Sequence, residues 1–259
     1  MCKPASMIVT RGHKVHWSKN TESHHEIISE LGLRETDARG DVCLVPVEIY
    51  PDNGKLDTPL GKKWKFYVDV DDIGREIPDW FDAEKAEAAC RAALKDWKEQ
   101  KVITKDTAVL KGGQFYVYGG IIRSVYGGTI ESVRGGIIEY VYGGIIKYVS
   151  GGIIRSVHGG IIQHVRGGMI QHVYGGIIKS VSGGIIKYVS GGIIKSVSGG
   201  TIKSVRGGII ESVRGGTIQS VRGGTIIVYT RTDPSILKSS KAVMIDRSGD
   251  AVKCIVGKD

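Results

Sequence analysis

The chain has 259 residues and a formal net charge of +9, from 36 Lys and Arg against 27 Asp and Glu. No apolar stretch is long enough for a membrane-spanning helix, and Met1-Cys2-Lys3-Pro4 leads into no apolar run of the kind a signal peptide needs, so neither a membrane partner nor export is expected. Four cysteines, Cys2, Cys43, Cys90 and Cys254, lie far apart with no Cys-x-x-Cys pair, which argues against a zinc knuckle or a disulfide framework and fits free thiols in a reducing cytoplasm.

Residues 1–110 have ordinary composition and read as a small α+β domain suited to capping and partner binding. Met7-Ile8-Val9-Thr10 is a short strand. Asn20 or Thr21 caps a helix through Ile27, Ile28 and Leu31 that Gly32 stops. Val42 to Tyr50 is a strand whose Pro46 places it at a sheet edge, because proline cannot donate to a ladder. Pro51-Asp52-Asn53-Gly54 is a turn, and Trp64 to Val70 a second strand. Ala83 to Gln100 carries Ala86, Ala89, Cys90, Ala93, Leu94 and Trp97 at helical spacing and should pack on the sheet.

Residues 111–230 are dominated by thirteen uninterrupted octapeptides, Gly119 to Arg222, each reading Gly-Gly-(Ile/Thr/Met)-Ile-x-x-Val-x. A fixed short period marks a repeat architecture. An antiparallel meander turning at each Gly-Gly would swap faces from strand to strand and mix Ile and Val with Lys, Arg and Glu on both, so neither face could be buried. Parallel in-register stacking instead lines up the position-four Ile and position-seven Val as internal ladders, with bends at positions five and six and at the glycines. The predicted fold is mainly β: a β-solenoid capped by the N-terminal domain and a C-terminal hairpin. At position eight every Tyr and the one His (Tyr126, Tyr142, His158, Tyr174) fall on odd octads, which predicts two octads per coil. Gln114 to Tyr118 is a degenerate opening repeat. In residues 231–259, Asp233-Pro234-Ser235 breaks the pattern, and Ala242–Ile245 with Ala251–Val256 form the terminal hairpin that covers a strand edge.

The combination of His25-Glu26-Ile27-Ile28, the Trp64 strand, Ile77-Pro78-Asp79-Trp80-Phe81 and the octads resembles uncharacterised phage and bacterial proteins in which a small α+β domain precedes Gly-Gly-(Thr/Ile)-Ile-x-x-Val-x repeats. The resemblance implies a phage-encoded protein acting in the host cytoplasm and brings no activity with it. A looser likeness is to pentapeptide-repeat coils, some of which mimic DNA and inhibit gyrase. Here the period is eight and the charge has the wrong sign for such mimicry.

Charge carries the functional expectation. Residues 1–111 hold 18 basic and 20 acidic residues, net −2, and the remainder 18 basic and 7 acidic, net +11. Within the octads the cations occupy position five (Arg123, Lys147, Arg155, Lys179, Lys187, Lys195, Lys203) and position eight (Arg134, Arg166, Arg206, Arg214, Arg222). Such a face can bind phosphate backbones, with Tyr126, Tyr142 and Tyr174 available for stacking. It can also simply keep a repetitive β surface soluble. Trp80, if exposed, is a contact for a partner protein.

No enzyme is expected: Gly-x-Ser-x-Gly, a phosphate loop and His-Glu-x-x-His are all missing, so no catalytic residue and no cofactor is assigned. His13, His16, His24 and His25 near Glu22 and Glu26 match no metal motif, and Asp69, Asp71 and Asp72 read as a solvated acidic loop that could bind a cation; no metal is assigned. His164 and His172 read as solvated decoration. The expected function is non-enzymatic binding of a host protein or nucleic acid, as in a counter-defence inhibitor, with homo-oligomers allowed. The alternative is a structural virion or scaffold module. Thr129, Thr201, Thr217 and Thr225 are too sparse for an ice-binding array.

Overall fold

The computed structural model describes residues 4–69, 77–229, 241–249 and 251–258; Cys2, Asp71, Asp72 and Asp233-Pro234-Ser235 lie outside them. The chain divides into two compact units, Met1–Val102 and Ile103–Asp259.

In the first unit an antiparallel sheet has the order β2-β1-β3-β4, from β1 (Ser6–Thr10), β2 (Lys14–His16), β3 (Leu44–Pro51) and β4 (Trp64–Val68). Helices α1 (His24–Glu30) and α2 (Ala83–Lys101) complete it. The α1 cap is Ser23, whose hydroxyl accepts the Glu26 N–H; neither Asn20 nor Thr21 serves. Thr21 instead donates to Glu26 Oε2 at 2.5 Å. The α2 stripe Ala86, Cys90, Leu94 and Trp97 is buried, as its spacing requires. Asp82 caps α2 by accepting the Lys85 and Glu84 N–H groups; Lys85, through its N–H and its side chain, does most to hold the carboxyl below the usual range.

Pro46 does not mark an edge: β3 lies inside the sheet. The Pro46 carbonyl accepts the Asp69 N–H at 3.0 Å, one residue past the end of β4. Its missing donor therefore falls where that pairing stops, and no ladder bond is lost.

The second unit begins earlier than the composition suggests, because β5 (Val102–Ile103) and β6 (Thr107–Leu110) already pair with solenoid strands. β7 (Gln114–Val117) belongs to a seven-residue opening repeat and absorbs its missing residue as a register shift between Phe115 and Tyr116. From β8 (Ile121–Val125) to β19 (Ile209–Val213), positions three to seven of each octad form a strand, followed by β20 (Thr217–Ile218) and β21 (Gly224–Val228). Even-numbered strands β6 to β20 make one sheet and odd-numbered strands β5 to β21 the other. Two octads thus make one coil, with about eight turns between residues 102 and 246.

Pairing is parallel and in register: Ile138 with Ile154, Val141 with Val157. All thirteen position-four isoleucines and position-seven valines are buried, from Ile122 and Val125 to Ile218 and Val221, in one core between the sheets. Position three is half-buried along most of the stack, adding apolar burial to the ladders. The hairpin of β22 (Ala242–Asp246) and β23 (Lys253–Val256) extends the odd sheet, β22 running parallel to β21, with Ala242 and Met244 joining the core. Among the described residues no helix is long and apolar enough to cross a membrane.

Candidate anion-binding surface

Alternation of octads between two sheets decides where the cations go. Arg123, Arg155, Lys187, Lys203, Arg206 and Arg222 belong to octads of the even sheet, and Arg134, Lys147, Arg166, Lys179, Lys195 and Arg214 to those of the odd sheet. The single basic face that the sequence suggested is therefore two faces. All twelve side chains are at the surface, Lys147 and Lys187 half-buried and the rest exposed.

In-register stacking places like positions one strand spacing apart, about 4.8 Å. In the first seven octads, acids occupy the same columns as the cations. Lys147 Nζ lies 2.7 Å from Glu131 Oε1, and Arg155 Nη1 lies 2.9 Å from Glu139 Oε1. In the last six octads, residues 175–222, seven cations stand against one acid. There Lys179 neighbours Lys195, Lys187 neighbours Lys203, and Arg206 neighbours Arg222, each pair in adjacent coils. Directly opposed like charges destabilise a sheet. Glu211 follows Lys195 in its column without forming an ion pair among the described residues.

The position-eight column on the even side is aromatic first and cationic later. Tyr126, Tyr142, His158 and Tyr174 stack at centroid distances of 5.1, 5.1 and 5.0 Å. Position-six rings lean on this column: Tyr140 lies 5.9 Å from Tyr142, His172 5.6 Å from Tyr174, and Tyr188 5.0 Å from His172. The Arg206 guanidinium sits 5.0 Å over the Tyr188 ring and ends the run. On the odd side Tyr148 stacks on His164 at 5.2 Å under Arg166, 4.5 Å from the ring. His164 and His172 are thus ladder members on opposite sheets.

Ring–ring contacts of this kind are worth about 0.5–1.5 kcal/mol each, so stability alone accounts for the ladder. Tyr142 is held between the Tyr126 and His158 rings, which leaves no gap for a base there, whereas Tyr126, first in the column, meets a ring on one face only among the described residues. Arg206 and Arg214 lie over the Tyr188 and Tyr229 rings, whereas Lys179, Lys187, Lys195, Lys203 and Arg222 have neither an ion pair nor a ring contact among the described residues.

Comparison with protein-family models, curated proteins and solved structures gives no match. The residues themselves must carry the reading.

In the first unit the histidines disperse. His13 Nε2 accepts the Asp82 N–H at 3.0 Å, His16 Nε2 lies 3.2 Å from Thr10 Oγ1, and His25 is exposed. Burial, with Lys14 nearby, lowers the His16 pKa. Glu22 is turned away to Lys101. Trp80 is half-buried; its indole N–H donates to Val42 O at 2.7 Å and its ring packs near His13 and Phe81. Trp80, Ile77, Pro78 and Arg11 line a shallow depression. Burial pushes the Cys90 thiol up to about 12, leaving it protonated and unreactive at neutral pH.

Proposed function

We propose that this protein is a non-enzymatic binding protein whose solenoid docks a nucleic acid on the even sheet, at Lys187, Lys203, Arg206 and Arg222. The observation that supports this reading is the stacking of like charges in the last six octads. It is unfavourable for folding and is relieved by a partner carrying regularly spaced phosphates. Encoded by a phage, such a protein would act in the host cytoplasm on machinery that handles nucleic acid.

The test is fluorescence anisotropy with labelled single-stranded DNA, duplex DNA and RNA. Four phosphate contacts predict a fall in affinity of roughly 100-fold between 50 and 200 mM salt on duplex DNA. Arg206→Glu with Arg222→Glu should lower affinity by at least about 10-fold and reduce the salt slope by about two contacts. The odd-sheet pair Lys179→Glu with Lys195→Glu should leave binding close to wild type. Wild-type protein that ignores all three probes at low salt would end this reading.

A structural role in a virion or scaffold is favoured by one feature. The even sheet stops at β20, whose outer edge no strand covers among the described residues. Stable oligomers by light scattering, without nucleic-acid binding, would select that role.

A further inference from the structure

The geometry points to a divalent-metal site in the first unit, formed by His24, Glu48 and Asp69, with zinc as the leading ion. The three residues come from different elements. His24 is the first residue of α1, Glu48 lies within β3, and Asp69 follows β4 directly. One ligand atom from each lies within 4.8 Å of the other two. His24 and Glu48 are buried, at 2% and 4% exposure, while the Asp69 side chain keeps 17%.

The imidazole is oriented as a metal ligand would be. Its Nε2 lies 3.1 Å from the Val47 carbonyl oxygen. A carbonyl can only accept, so Nε2 carries the proton and donates it. Nδ1 is thereby turned toward the cluster and stands 3.5 Å from Asp69 Oδ2. A hydrogen bond from one ring nitrogen to a backbone carbonyl, fixing the tautomer while the other nitrogen coordinates, is the usual outer support of a metal-binding histidine.

Two ligands about 2.1 Å from a zinc ion stand about 3.4 Å apart, so the 3.5 Å between Nδ1 and Asp69 Oδ2 has the length of one edge of a coordination tetrahedron. One imidazole and two carboxylates suit zinc, and also manganese or iron. Three protein ligands leave a fourth position for water. Such an ion would tie the start of α1 to the middle of the sheet.

The test is calorimetric titration of the chelator-dialysed full-length protein with zinc chloride and with manganese chloride. One ion per chain is expected, with a rise in the thermal midpoint followed by tryptophan fluorescence. All four tryptophans, Trp17, Trp64, Trp80 and Trp97, belong to the first unit and report on it alone. Asp69→Asn keeps the side-chain shape at the least buried ligand and should weaken binding by at least about 10-fold. His25→Ala, which removes an exposed imidazole next in sequence, should bind as wild type. Zinc K-edge absorption should show one nitrogen and at least two oxygen ligands. Failure of the wild type to take up either ion at about 100 µM overturns the proposal, as does unchanged uptake by Asp69→Asn.

Discussion

Replacing Gly160 by alanine should disrupt the solenoid more than any substitution on its surface. Gly160 is the second glycine of its octad and has φ +77°. An L-residue there carries a backbone cost of about 1–2 kcal/mol. Its Cβ would also lie 2.7 Å from Gly144 O and 2.9 Å from Gly143 C in the preceding coil. Those are backbone atoms, and Gly144 O already accepts the Ile161 N–H at 3.0 Å. Neither side can yield by a rotamer change, so the coils must part. Separation sacrifices ladder hydrogen bonds worth about 1 kcal/mol each and loosens the Ile162 packing. A total of at least about 3 kcal/mol corresponds to a fall of roughly 6–12 °C in the midpoint. Because coils are stabilised by their neighbours, the lesion should split the far-ultraviolet transition of the solenoid into two steps. The tryptophan transition of the first unit serves as an internal reference. Gly112→Ala is the control, since Gly112 lacks positive φ and a Cβ there meets nothing within 4 Å. A Gly160→Ala protein melting with the wild type would refute the close coil approach on which the octad depends.

The same closeness explains what the sequence made legible. Ile at position four and Val at position seven recur because an in-register stack repeats each environment, so periodicity alone fixes inside and outside. The number of octads per coil was readable from the aromatic column, since Tyr126, Tyr142, His158 and Tyr174 gain by stacking only if alternate octads coincide. Coil number also determines which cations share a side. A linear inventory of Arg and Lys hid this, and the expected single face became two. In the first unit helical spacing marks the buried face of α2, but no repeat fixes which distant residues meet. Near His24 in the sequence stand other histidines and near Asp69 other acids, whereas the fold joins both to Glu48, which lies in a strand far from either in the chain. Lys14–His16 was too short to stand out as a strand and exists because it pairs with β1. Pro46 sits inside the sheet because proline's restriction applies to one missing bond and not to the whole strand.

The pairing of Glu22 with Lys101 was equally invisible, since 79 residues separate them. It yields the largest effect expected in the first unit: Lys101→Met should cost about 3–5 kcal/mol at neutral pH, because the remaining carboxylate stays buried without its counter-charge. Lys101 is fully buried at the end of α2, and its ammonium donates to Glu22 Oε1 and, at 2.9 Å, to Thr21 O. Glu22 also accepts the Ser6 N–H at 2.9 Å and the Trp97 indole N–H at 3.2 Å. Burial raises the Glu22 pKa above the ordinary range, opposed by Lys101 and by these donors. Without the ammonium the folded-state value should rise further. A folded pKa above the unfolded one means that the native state holds a proton the unfolded chain has released. That contribution is fully present below the ordinary glutamate pKa and is lost as pH rises through the folded value. The Lys101→Met deficit relative to wild type should therefore shrink as pH falls toward the ordinary glutamate range and grow toward neutrality. Adding Glu22→Gln should remove the pH dependence of the difference, since it takes away the carboxyl that titrates. Urea unfolding followed by tryptophan fluorescence across that pH interval measures all three variants. A deficit that stays constant with pH would assign the loss to packing around the lysine stem and not to the stranded charge.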